Sequence, residues 1–143
     1  MADDIVTHTP KLTLLGAGST RYRTDRPEAS ILETFENAAR HRDYLIELVY
    51  PEFTSLCPVT GQPDFATITV RYVPDRLCVE SKSFKLYLIA YRNHGAFMET
   101  ITNTILDHLA AACAPRWMEV RGEFAARGGT RITVTAATGE NPL

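Results

Sequence analysis

Cys57 stands in the stretch Phe53-Thr54-Ser55-Leu56-Cys57-Pro58-Val59-Thr60-Gly61-Gln62-Pro63-Asp64, with the carboxyl of Asp64 seven residues further on. A second stretch, Glu80-Ser81-Lys82-Ser83-Phe84-Lys85-Leu86-Tyr87, packs two lysines and two serines into the six positions from Glu80 to Lys85. A thiol near a carboxyl points to covalent chemistry, and a cationic, hydroxyl-rich segment points to phosphate. Together they describe an enzyme that attacks its substrate with sulfur and uses a phosphorylated cofactor.

Each residue also has a plainer reading. A free cysteine is most often a small buried hydrophobe, and Cys78 and Cys113, beside apolar element ends, fit that description. Cys57 fits it less well, because Pro58, Gly61 and Pro63 make its loop rich in turn formers and partly open. A thiol of ordinary pKa, about 8.5, is only slightly ionised at neutral pH, so a useful nucleophile needs help. Asp64 reads as a turn or cap residue before a strand, or as a proton donor or acceptor beside the sulfur.

Lys82 and Lys85 are neighbours if a helix starts here. The serines are candidate caps, and free N–H groups at the helix start favour an anion. The alternative is a capped, solvated helix start. Arg127-Gly128-Gly129 is a basic turn that alone means only a hairpin. Glu99 is a favourable charge at a helix N-terminus, or a carboxylate that accepts two parallel hydrogen bonds from the N–H edge of a guanine-type base. Gly16-Ala17-Gly18-Ser19-Thr20-Arg21 looks like a damaged dinucleotide loop: Arg21 stands where the third glycine belongs, and no helix-then-strand unit of the required length follows.

The elements that must position these residues come from a chain of 143 residues, with 45% hydrophobic and 22% charged residues and a net charge of −2. That is one globular domain, with no global case for nucleic acid or an anionic membrane. The acidic start, Met1-Ala2-Asp3-Asp4, lacks the order of a signal peptide, so a cytoplasmic protein is expected. The three cysteines and four histidines show no zinc spacing, and no protein-bound metal is expected.

Residues 1–40 read as an arm of the same domain, with a short helical pattern at Ile31, Leu32, Phe35 and Ala38. Strands are expected over Tyr44–Glu52 and Phe65–Val73. A helix follows from about Ser83 to Arg92, burying Phe84, Tyr87, Leu88 and Tyr91 and stopping at His94-Gly95. A second carries Phe97, Ile101, Ile105, Leu109 and Cys113 and closes at Pro115. Two more strands, Trp117–Ala126 and Thr130–Ala137, flank the Gly128-Gly129 turn. Two helices on one face of four antiparallel strands leave the other face and both edges uncovered, which invites pairing with further copies.

The Cys57–Asp64 loop, the Glu80–Tyr87 segment, Tyr91-Arg92-Asn93-His94-Gly95, Phe97, Glu99, the Arg127-Gly128-Gly129 turn and Leu15-Gly16…Tyr22 with Pro27 resemble the QueF family, the NADPH-dependent 7-cyano-7-deazaguanine reductases of queuosine biosynthesis, a route of tRNA modification. The resemblance covers most of the chain, in the family's short, single-module form. It implies an α+β tunnelling fold over residues 41–143, a four-stranded antiparallel sheet and two helices in the order ββααββ. It also implies subunits whose sheets join into β-barrel rings, two pentamers stacking as a homodecamer with sites at subunit interfaces.

The implied reaction turns the nitrile of 7-cyano-7-deazaguanine into an aminomethyl group with two NADPH. Cys57 forms a covalent thioimide and Asp64 supplies a proton. Val79, Glu80, Ser81, Met98 and Glu99 bind the substrate, with Glu99 anchoring the deazaguanine edge. Ser81, Lys82, Lys85, Arg127 and Gly128 face the cofactor. One departure stands out: the family usually has His before the anchoring Glu, and here Met98 removes a polar contact. The rivals are a cyclohydrolase-like hydrolase of the same fold, which needs a metal set, an amidinotransferase-type relative without NADPH, and a non-catalytic scaffold that binds a purine-like ligand.

Overall fold

A computed structural model describes residues 22–143. The Gly16–Arg21 pattern, with Leu15, lies outside the described residues. Six strands and two α-helices follow in order: β1 (Thr34–Glu36), β2 (Ile46–Leu56), β3 (Pro63–Val73), β4 (Leu77–Val79), α1 (Ser81–Ile89), α2 (Met98–Cys113), β5 (Trp117–Phe124) and β6 (Thr133–Gly139). A 3-10 turn, Ala29–Ile31, precedes β1. Among the described residues no helix is long and apolar enough to cross a membrane.

The expected order of two strands, two helices and two strands holds for the main sheet, whose strands run β2-β3-β5-β6, all antiparallel. Its inner face carries Phe53 of β2, Ile68, Val70 and Tyr72 of β3, and Met118, Val120 and Phe124 of β5, all buried. The helices cover that face with Phe84, Tyr87 and Leu88 of α1 and Ile101, Ile105 and Leu109 of α2. The alternation of apolar and polar residues along β3 and β5 dictates this, because neighbouring side chains in a strand point to opposite faces. The outer face holds Arg71, paired with Glu47 and Glu119, and leaves Val49 and Phe65 more than half exposed.

The arm departs from expectation. The helical pattern at Ile31–Ala38 yields only the 3-10 turn and then β1, which pairs antiparallel with β4 as Thr34↔Val79, Phe35↔Cys78 and Glu36↔Leu77. A helix of two turns is marginal by itself. Here the ladder to β4, the Asn37 N–H bond to the Arg76 carbonyl (2.8 Å) and the Asn37 side-chain bond to the Asp75 carbonyl (2.8 Å) prevail.

β2 runs on to Leu56, past the expected end at Glu52. A register shift between Tyr50 and Phe53 lets Pro51 sit on this edge strand without breaking it. The helix α1 begins at Ser81 and ends at Ile89, earlier at both ends than the periodicity indicates.

Close approach of α2 to the sheet depends on Gly122 of β5. A Cβ there would lie 2.7 Å from the Phe124 ring and 2.9 Å from Thr102 Oγ1. Thr102, buried on α2, donates its hydroxyl to the Met98 carbonyl at 3.0 Å, so this contact seats the first turn of the helix.

Candidate active site

Leu56, the last residue of β2, turns its backbone away from β3. Its N–H donates to the His94 carbonyl and its carbonyl accepts from Ala96 N–H, both at 3.1 Å. Backbone groups alternate direction along an antiparallel strand, so Ser55 and Cys57 point theirs at β3. Accordingly Cys57 N–H donates to the Gln62 carbonyl at 2.8 Å, and Gly61 N–H closes the turn onto the Cys57 carbonyl at 2.9 Å. Cys57 is half-buried in this tight turn, while Cys78 and Cys113 are buried, as expected.

Asp64 is not the loop residue its neighbours imply. It lies in β3, directly opposite Ser55, and is 6% exposed. Residues opposite each other share a face, so Ser55 and Asp64 both look inward, next to the Cys57 turn.

Arg127 completes the cluster. It and Thr130 exchange N–H···O bonds of 2.9 and 3.1 Å around Gly128 and Gly129, whose φ values of +60° and +79° make the expected two-residue hairpin turn. Its guanidinium ion-pairs with Asp64 and reaches Gln62 Oε1 at 3.5 Å. The Thr60 hydroxyl, the Thr60 and Val59 N–H groups and, to a smaller extent, Arg127 lower the Cys57 thiol to about 7, against the opposing effect of partial burial. A large fraction of the sulfur is therefore thiolate at neutral pH. Arg127, expected among cofactor contacts, is engaged here by Asp64, with Gly128 exposed beside it.

The bridge between Leu56 and Gly95 also brings the start of α2 to the Cys57 end of the sheet. Phe97 is the N-cap residue, Glu99 is exposed in the first turn, and Met98 packs partly buried against the core.

The other expected substrate contacts are elsewhere. Val79 N–H donates to Tyr72 Oη at 3.0 Å, and Tyr72 stands eight residues along β3 from Asp64. At 3.3 Å per residue that places Val79, Glu80 and Ser81 on the order of 20 Å from Asp64 within one chain. Glu80, rather than a serine, caps α1: its carboxylate accepts from Lys82 N–H and Ser83 N–H, both at 2.7 Å, which holds it below its usual pKa. The anion expected at this helix start is thus the protein's own. Ser83 is buried and binds the Glu33 N–H at 2.9 Å, while Ser81, Lys82 and Lys85 face solvent. Lys85 borders a cleft of about 650 Å³ between α1 and the bulge of β2, with Tyr50, Phe65 and Arg92.

Ser55 and Thr60 were not among the residues singled out from sequence. The inward alternation of Phe53 and Ser55 and the turn position of Thr60 are the signals that mark them.

Residues 63–142 match the family model described as QueF-like protein. A relative from Desulfovibrio desulfuricans, named NADPH-dependent 7-cyano-7-deazaguanine reductase, is 57% identical over 90% of this chain and 77% of its own length. One of the same name from Chlorobaculum parvum is 57% identical over 75% of this chain and 92% of its own. The crystal structure of the archaeosine synthase QueF-Like in the apo form superposes with a TM-score of 0.63 at 24% identity, covering 68% of this chain and 96% of that one. The matched range runs from β3 through both helices to β6, more than half of the chain, and the chain belongs to the QueF-like family.

Proposed function

We propose that this protein is an NADPH-dependent 7-cyano-7-deazaguanine reductase. The observation that carries the reading is the cluster of Cys57, Asp64 and Arg127, a thiol lowered to about 7 beside a buried carboxyl. Relatives more than half identical over most of the chain bear that name.

Cys57 adds as thiolate to the nitrile carbon, and the nitrogen takes a proton delivered by Asp64, giving a thioimide on Cys57. NADPH, when bound, supplies one hydride to the thioimide carbon and a second to the imine that follows. Between the two, the C–S bond breaks and Cys57 leaves as thiolate. The full change consumes two hydrides and two protons and returns the sulfur unaltered. Splitting one hard reduction into addition and elimination on sulfur is the advantage of the covalent route. Glu99 anchors the guanine-like edge, and Met98 offers it an apolar wall.

The residues left for the cofactor fit a phosphate: Lys82 and Lys85 are exposed, three apart on α1, with the Ser81 hydroxyl beside them. The separation of Val79, Glu80 and Ser81 from Asp64 within one chain, on the order of 20 Å, supports a site shared between subunits, closed when sheets join at the edges β2 and β6. The exposed Val49 and Phe65 on the outer face support the same assembly.

The test mixes protein, NADPH and the nitrile and follows nicotinamide absorbance, with intact mass measured in the absence of NADPH. Two NADPH consumed per nitrile, and one substrate mass on Cys57, are expected. Full turnover by Cys57→Ala overturns the mechanism.

A further inference from the structure

Ser55 is 0% exposed, and its Oγ is the buried side-chain polar atom with no hydrogen-bond partner among the described residues. Such a group is costly to keep, because it has left water and gained nothing in return. Its neighbours along the inner face of β2 and β3 are Phe53 and Ala66, so packing alone favours alanine at this place. Ser55 is also the cross-strand partner of Asp64. The backbone directions at Leu56 and Cys57 make Ser55 and Asp64 a hydrogen-bonded pair, whose Cα atoms stand about 5.5 Å apart with both side chains on one face.

Asp64 has a difficulty that this serine resolves. In the resting protein its carboxyl is ion-paired with Arg127. A carboxylate held by a guanidinium has no proton to give. Delivering one to the nitrile nitrogen requires the protonated acid, whose bond to Arg127 is then weakened, because a neutral carboxyl is a poor partner for a cation. The buried acid still needs a partner for its carbonyl oxygen.

We propose that Ser55 is a positioning residue for Asp64: its hydroxyl donates to the carbonyl oxygen of the protonated carboxyl, and so turns the acid O–H toward the substrate nitrogen above Cys57. The unpaired hydroxyl of the resting state is the vacant half of that bond. The inference rests on the reductase reading, and it adds a residue to that reaction without altering its chemistry. In the forward step the Asp64 carboxylate takes the proton of the Cys57 thiol as the thiolate forms; the Asp64 O–H bond then breaks as the N–H bond of the thioimide forms, the electrons of the thiolate make the new C–S bond, and the carboxylate returns to Arg127. Ser55 loses no proton.

Ser55→Ala tests this with three measurements on the full chain. The rate of thioimide formation is followed by near-ultraviolet absorbance after mixing protein with 7-cyano-7-deazaguanine, without NADPH. The rate of Cys57 alkylation by iodoacetamide reports the thiolate independently of Asp64. Thermal melting reports the fold. The expected result is thioimide formation slowed about tenfold, a part of the 10²–10⁴ that a positioned general acid contributes. The solvent deuterium isotope effect on that step rises, while alkylation stays within about twofold and the melting temperature is unchanged or higher. Thioimide formation at the unmutated rate overturns the proposal. So does an early-melting or unfolded variant, which assigns the hydroxyl to structure. An unmutated protein that alkylates normally but forms no thioimide overturns the reductase reading itself, and this proposal with it.

Discussion

Arg127 reaches back from the β5–β6 turn to pair with Asp64 on β3, and the same guanidinium helps to lower the thiol of Cys57, one residue past the end of β2. One side chain thus ties the β5–β6 turn to both groups proposed to react.

The thiol is the first place to check this. Its pKa is lowered from the ordinary thiol range to about 7, chiefly by the Thr60 hydroxyl. Iodoacetamide alkylation of Cys57 should therefore rise with pH to a half-maximum near 7. Thr60→Val moves that midpoint upward toward the ordinary value, and Arg127→Gln moves it upward by less. The stabilisation attached to this shift is present above the unfolded thiol's pKa and disappears as pH falls through about 7. A midpoint that does not respond to Thr60→Val removes the hydroxyl from the account.

Gly122 sets how closely the first turn of α2 approaches the sheet. An added methyl meets the Phe124 ring and Thr102. Gly122→Ala should cost about 1–3 kcal/mol in urea unfolding, the usual range for overpacking. The Michaelis constant for the nitrile should rise too, because the first turn of α2 carries Met98 and Glu99. An unchanged urea midpoint would mean that the helix moves aside freely.

Cofactor preference follows from Lys82 and Lys85. NADPH should be used in preference to NADH, since the 2′-phosphate pairs with cations through charge-assisted bonds. Lys82→Ala should raise the Michaelis constant for NADPH about tenfold, as for loss of one hydrogen bond to a charged group. The constant for the nitrile should scarcely move. Equal use of NADH and NADPH by the unmutated protein counts against the phosphate reading.

Assembly is testable through the separation of Val79–Ser81 from Cys57. Native mass spectrometry should show a closed homo-oligomer, with a decamer expected. Cys57→Ala chains mixed with Ser81→Arg chains after partial dissociation should regain activity that neither has alone. An active monomer of 16.0 kDa would refute both the assembly and the shared site.

Much of this was legible before any coordinates. The core residues of β3, α1, α2 and β5 announce themselves by period, because a buried face must repeat every two residues in a strand and every three or four in a helix. Cys57 is marked by its turn formers, and Gly128-Gly129 by the positive φ that a two-residue hairpin demands. The errors lie where long-range pairing prevails over local pattern. The helical spacing at Ile31–Ala38 gives way to a ladder with β4, a strand more than forty positions away.

By itself, then, the sequence determined the main elements, the family, and the residue types available for chemistry. Periodicity, turn formers and motif order are local properties, readable along one chain. Only the tertiary structure decided that Asp64 is buried in a strand, that Arg127 belongs beside it, that Glu80 caps α1, and that Ser55 faces Asp64 with an unpaired hydroxyl. The physical reason is that strand register and side-chain reach join residues far apart in sequence. Asp64 and Arg127, 63 positions apart, meet because β3 and β5 lie side by side, and no local signal in either segment records that neighbour.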